Sequence, residues 1–230
     1  MTAVATDTAV ALVPPAAAFD RLLASAVRHL ATGGRPTGAR VRTRGGAVAP
    51  LPIERWVAPA DAVDAAVLAG VEAPVLDVGC GPGRHLAALA AAGHDALGVD
   101  LSPFAVRVAR DRGGIAVSGS VFDDVPRAGA WRTALLLDGN VGIGGAPAAL
   151  LRRVASLLAP RGAAVVEVGA PGSEAGRHSV RIEAPGLTSH WFPWARVSAG
   201  EVEALAADAA FEVEAITRVD DRWFAHLRRP

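Results

Sequence analysis

The 230-residue chain balances 23 basic against 23 acidic side chains and has a pI near neutral, which excludes the long-range positive field that recruits nucleic acid. A hydrophobic fraction of 51% excludes global disorder, yet much of it is alanine, and no run approaches the roughly 20 apolar residues of a membrane-spanning helix. The basic residues are all arginine; lysine, glutamine and tyrosine are absent, and Asn140 is the single asparagine, a pattern consistent with GC-rich codons.

At the N-terminus there is no basic leader region, and the apolar run Ala9–Val13 breaks at Pro14 and Pro15, so a soluble cytoplasmic protein is expected. Residues 16–31 place Phe19, Leu22, Leu23, Ala26, Val27 and Leu30 at helical spacing. A Gly/Pro/Thr-rich stretch follows at 32–38. Next comes a segment with Arg35, Arg40, Arg42 and Arg44, either a solvated loop or a set of forks for an anionic substrate. Residues 59–70 read as a helix opened by Pro59 and closed by Gly70. From residue 74 short apolar runs (74–78, 96–99, 115–117, 133–137, 163–168) alternate with helical segments (83–92, 103–112, 147–159). Continuous apolar strands separated by helices predict a parallel sheet covered on both faces and wound in both directions. After residue 169 a hairpin is expected over 177–196, bending at Pro185-Gly186. A helix at 199–209 and an antiparallel pair, 211–219 and 223–227, follow.

The segment Val75-Leu76-Asp77-Val78-Gly79-Cys80-Gly81-Pro82-Gly83 carries the chemistry. A buried strand enters a glycine loop, and a helix starts at once. Such a loop brings a ligand against bare backbone and aims free N–H groups and the positive helix end at it. The dinucleotide spacing GxGxxG would place its third glycine at position 84, which is Arg84; the spacing found is GxGxG. The acid in the strand, Asp77, would repel a pyrophosphate and favour a ligand bearing an ammonium and a sulfonium. The lone cysteine, Cys80, excludes an intramolecular disulfide and a CxxC metal pair; inside the loop it reads as a small residue chosen for size.

Residues 75–83 resemble motif I of the class I S-adenosylmethionine (SAM)-dependent methyltransferases. Gly98-Val99-Asp100-Leu101-Ser102 is similar to that family's second strand with its terminal acid. The resemblance covers about residues 74–169 and implies a doubly wound α/β fold: a mostly parallel seven-stranded sheet with a C-terminal antiparallel hairpin, SAM as cofactor, and methyl transfer by in-line displacement. It implies that Asp100 takes the ribose hydroxyls, flanked by Leu101. A carboxylate suits that task, since it accepts from two vicinal donors. Where the family often has an acid for the adenine amino group this chain has Ser120. Either the Ser120 hydroxyl with the Val121 backbone, or Asp123, reads the adenine. Arg84 and His85 either contact the methionine carboxylate or form an exposed first turn. Asp138 and Asn140, after the fourth strand, either orient the reacting groups or close an Asx turn around Gly139. His178 and His190 are base candidates, and Trp191, Phe192 and Trp194 either wall an apolar pocket or pack the hairpin. Residues 1–58 are expected as a helical and loop appendage serving as a lid, 59–230 as the SAM-binding domain, and 170–197 as an insertion on the substrate side. The partners expected are a small-molecule methyl acceptor and a second copy of the chain, with neither nucleic acid nor membrane. An NAD-dependent oxidoreductase and a non-catalytic SAM-binding protein are the alternatives.

Overall fold

The computed structural model describes residues 11–32 and 38–230; Arg35 lies outside them. In chain order the elements are β1 (Ala11–Val13), α1 (Pro15–Thr32), β2 (Arg40–Thr43), β3 (Val48–Pro50), α2 (Ile53–Val57), α3 (Ala62–Leu68), β4 (Val75–Val78), α4 (Arg84–Ala91), β5 (Ala96–Asp100), α5 (Pro103–Asp111) and β6 (Ala116–Ser118). They continue with β7 (Trp131–Leu136), α6 (Pro147–Leu157), β8 (Leu158–Val168), β9 (Gly176–Ala184), β10 (Leu187–Ser189), β11 (Phe192–Arg196), α7 (Val202–Asp208), β12 (Glu212–Val219) and β13 (Arg222–Arg228).

The large sheet runs β12-β13-β8-β7-β4-β5-β6. Its five strands from β8 to β6 are parallel, and β13 and β12 close one edge antiparallel. All four residues of β4 are buried, as a strand must be when helices cover both faces. One face packs under α6 and α7 around Trp131, Leu136 and Leu150; the other packs under α3, α4 and α5 around Leu86, Leu135 and Phe224. The order in which strands are added reverses between the parallel neighbours β4 and β7, so the segments leaving these two strands splay apart at the carboxyl edge and open a crevice there.

Strands from residues 11–50 and 176–196, far apart in the sequence, form one six-stranded sheet. Its order is β1-β10-β9-β2-β3, with β11 also on β9. The appendage therefore contributes strands besides helix α1. Arg40 and Arg42 lie on β2 with period-two alternation, and both bond Glu183 across the pairing with β9, at 3.2 and 2.8 Å; they are strand residues, not loop residues. Val41 and Thr43 point to the other face. Beneath this sheet α1 buries Ala18, Leu22, Leu23 and Ala26 against Ile53, Ile182 and Leu187, while Leu30 in its last turn is exposed. The helix expected from residue 59 starts later, because Asp61 rather than Pro59 caps it and forms a reciprocal capping box with Asp64.

Candidate functional site

Gly79, Gly81 and Gly83 leave β4 with φ of 72°, 51° and 78°, which only glycine adopts without strain. Close packing reinforces the choice at Gly83, where a Cβ would sit 2.5 Å from that of Ala109. Gly81 is different: nothing lies within 4 Å of a Cβ built there, so its backbone faces open space. Cys80 packs on the bare backbone of Gly98, where a Cβ would meet its Sγ at 2.5 Å. Burial, then the charges of Asp77 and Asp100, push its thiol pKa far up.

Asp100 ends β5 and is gripped by two backbone amides, Gly81 N to Oδ2 and Ser102 N to Oδ1, both at 2.8 Å. Burial raises its pKa and those two amides pull it back in part. Ser102 caps α5 through Ala105 N (2.9 Å) and donates its hydroxyl to Asp20 of α1, so the appendage is fastened beside Asp100. The Ser120 hydroxyl accepts from Phe122 N at 3.1 Å, and the Val121 carbonyl accepts from Arg153 at 2.9 Å. Leu101 is 61% exposed at the rim.

Behind the loop lies a buried charge network. Arg84 and His85 are each 4% exposed, which removes the exposed-first-turn reading. Arg84 bonds Asp64 at 2.5 Å and both oxygens of Asp138 at 2.9 and 2.8 Å. Arg222 bonds Asp64 at 2.7 Å and Glu167 at 2.8 and 2.6 Å; Glu167 in turn accepts from Asp138 N at 2.6 Å. That bond and the Arg84 fork hold Asp138 at φ 56°. His85 lies 3.4 Å from Asp64 and 3.7 Å from Asp77. Burial opposes its protonation, but Asp64 and then Asp77 outweigh burial and raise its pKa to about 9. Burial likewise opposes ionisation of Asp64, yet His85, Arg222 and Arg84 drive its pKa well below the usual carboxylate range. With Arg55 3.7 Å from Asp64 and 3.9 Å from Asp138, carboxylates 64, 77, 138 and 167 face three guanidinia and one imidazolium. The charges cancel when His85 holds its proton, which is how so many ions tolerate burial.

The glycine loop opens into a cavity of about 670 Å³ that also reaches the small sheet. Of the residues singled out in the sequence, Gly79, Cys80, Gly81, Arg84, His85, Asp100, Leu101, Ser120, Val121, Asp138, Asn140 and His178 line it. Three do not. Asp77 is 1% exposed and outside the cavity lining, with Oδ2 3.7 Å from His85 Nδ1. Gly83 packs on α5. His190 is exposed, its amide spent on the Val13 carbonyl. Asn140 donates its side-chain amide to the Val78 and Gly79 carbonyls, both at 2.9 Å, and so ties the loop to the turn after β7.

The roof comes from α1, β2, Trp56, β9 and β11. Phe192 and Trp194 face inward, whereas Trp191 faces out, with the guanidinia of Arg44 and Arg181 4.9 and 4.8 Å from its ring. Phe19 and Trp56 complete the aromatic wall; neither stood out in the sequence, nor did Asp64, Glu167 and Arg222, because their partners are distant in the chain. Among the described residues no group of three His, Cys, Asp or Glu side chains is placed to hold a metal, and no helix is long and apolar enough to cross a membrane.

Residues 75–162 match the family model described as a methyltransferase domain. No curated protein sequence matches the chain. A SAM-dependent methyltransferase from Bacteroides fragilis, solved with S-adenosyl-L-homocysteine, is similar at TM-score 0.76 and 23% identity over 94% of this chain and 97% of that one. A 1,6-didemethyltoxoflavin-N1-methyltransferase from Burkholderia thailandensis, solved with 1,6-didemethyltoxoflavin and S-adenosylhomocysteine, is similar at 0.55 and 22%, over 73% and 76%. An amino pentose methyltransferase from Micromonospora echinaspora, solved with SAM, gives 0.52 and 22%, over 73% and 87%.

Proposed function

We propose that this chain, whose residues 75–162 match a methyltransferase-domain model and whose fold is that of SAM-dependent methyltransferases, transfers a methyl group from SAM to a small-molecule acceptor held beneath the six-stranded sheet. The observation that carries this reading is the continuity of one cavity from Gly81 and Asp100 to the aromatic roof. Its volume of about 670 Å³ falls within the range typical of small-molecule sites.

The residues present fit the cofactor. The open space at Gly81 admits a ligand against bare backbone. Each oxygen of Asp100 has one bond to an amide and retains acceptor capacity for a ribose hydroxyl. In this reading Ser120 and Val121 border the adenine, with Leu101 covering its exposed edge. The Arg84–Asp138 pair and Asn140 form the floor at the methionine end. Bound SAM supplies an electrophilic methyl group on a sulfonium. The chain's own contribution is alignment and exclusion of water: the Asn140 and Asp100 bonds fix the loop, and the Asp20–Ser102 contact seats α1 over it.

Calorimetry with SAM and S-adenosylhomocysteine tests the reading. Asp100→Ala should weaken both at least about tenfold, the worth of one charge-assisted hydrogen bond, with circular dichroism unchanged. Transfer of labelled methyl from SAM to a panel of small molecules should follow. NADH binding without SAM binding would make the chain an oxidoreductase, and SAM binding without turnover across the panel would make it a non-catalytic binder.

A further inference from the structure

The acceptor half of the cavity is built in a way that names a substrate class. Four aromatic rings form one wall: Trp56 and Phe19 are 6.1 Å apart, Phe19 and Phe192 6.4 Å, Phe192 and Trp194 6.2 Å between centroids. All four line the cavity. Their planes are inclined by 38°, 64° and 84° to one another, so the wall presents both ring faces and ring edges, which reward a flat aromatic ring by offset and edge contacts more than a puckered one. Next to Trp194 in the β9–β11 register stands His178, also on the cavity wall.

Two polar atoms on this wall are buried without a hydrogen-bond partner, Trp56 Nε1 and His178 Nε2. The contrast with Trp131 is instructive: that indole, fully buried in the core, gives its N–H to the Pro126 carbonyl at 3.0 Å. An orphaned buried group needs a cause, and at the wall of a cavity the cause is a ligand that supplies the missing partner. The two atoms have different capacities. An indole N–H only donates, whereas an imidazole nitrogen can accept. The cationic side chains of the wall are already matched, Arg196 with Glu174 at 3.0 Å and Arg84 with Asp64 and Asp138, and the Thr43 hydroxyl accepts from Ala47 N. This leaves no unpaired cation among the described lining residues to meet a phosphate or carboxylate.

We infer that the acceptor is a neutral, planar aromatic molecule that bears a hydrogen-bond acceptor for Trp56 Nε1 and an O–H or N–H whose proton goes to His178 Nε2. This inference rests on the methyltransferase reading above. In the transfer, a lone pair of the acceptor's oxygen or nitrogen forms the bond to the methyl carbon, and the sulfur–methyl bond pair stays on sulfur. The O–H or N–H proton passes to His178 Nε2, so the one positive charge that enters on sulfur leaves on the imidazole. Glu174, whose Oε1 is 3.9 Å from that nitrogen, then faces the imidazolium.

The probe is 7-hydroxycoumarin, planar, fluorescent, with a ring carbonyl and a phenol, titrated into protein saturated with S-adenosylhomocysteine. Cyclohexanol serves as the non-planar control. Wild-type protein should bind the probe and leave the control unbound. Trp56→Phe, which keeps a ring and loses the N–H, should weaken the probe about fivefold or more, with S-adenosylhomocysteine affinity unchanged. Phe192→Leu should weaken it as well, which guards against misfolding of a single variant. His178→Gln should leave probe affinity within twofold and abolish the acid limb of the pH–rate profile for methyl transfer. Probe affinity unmoved in Trp56→Phe, equal binding of cyclohexanol, or an acid limb retained in His178→Gln would each overturn the inference while the methyltransferase reading stands. Absence of S-adenosylhomocysteine binding in wild type would instead bring down that reading, and the inference with it.

Discussion

Replacing His85 by glutamine separates charge from hydrogen bonding inside the network. Glutamine keeps an amide donor near Asp77 but carries no charge. The ordinary histidine value is 6.5, and the folded protein holds the His85 proton up to about 9. Between these values the folded state binds more protons than the unfolded chain, so stability falls as pH rises. The contribution is complete below 6.5 and is lost as pH climbs through 9. The interval from 6.5 to about 9, at roughly 1.4 kcal/mol per pH unit, amounts to on the order of 3 kcal/mol. The window is unusually clear, because the chain has no lysine or tyrosine to titrate there. The Cys80 thiol does titrate in the unfolded chain, but it is common to both proteins and cancels in the difference. Urea midpoints of wild type and His85→Gln should therefore differ by about 3 kcal/mol near pH 6 and converge to within about 1 kcal/mol near pH 10, with equal m-values. A gap that stays constant across this range would mean that His85 is neutral in the folded protein, and the charge balance drawn for the network would be wrong.

The same burial makes two further expectations. Cys80, whose thiol pKa is pushed up by desolvation and neighbouring carboxylates, should resist Ellman's reagent at about pH 8 in the native state and react at once in denaturant; prompt native reactivity would place the thiol at the surface. Gly83→Ala should cost about 1–3 kcal/mol, because the new methyl meets Ala109 at 2.5 Å in a left-handed backbone conformation; an unchanged thermal midpoint would show that the α4–α5 contact gives way freely.

Much of this architecture was legible from period and punctuation. The apolar runs that became β4, β5, β7 and β8 are continuous because both faces are covered; the glycine spacing after Val78 located the loop, and the family resemblance pointed to the acid at 100. What the sequence hid was long-range. Arg84 could be read as a ligand contact or as an exposed first turn, because Asp64 and Asp138, which bury it, stand 20 and 54 positions away. Asp77 was expected to face the ligand; strand direction turned it instead toward His85. One misreading had a local signal. Arg40 and Arg42 alternate with Val41 and Thr43, the period of a strand, and that pattern was masked by their charge. In the same way parity separates inward Phe192 and Trp194 from outward Trp191. No local feature joined residues 40–43 to 180–183, since that pairing closes about 140 positions of chain.

That closure has a consequence for how the molecule assembles and breathes. The floor under the cavity is drawn from neighbouring stretches of one continuous region, 78–144, and acquires its contacts through short crossovers. The ceiling exists only once two far-apart stretches zip together along β2 and β9, a union whose entropy cost must be met before any of its contacts form. The ceiling should therefore set last and release first, with backbone amides of β2 and β9 losing hydrogen-exchange protection together while those of the floor keep theirs.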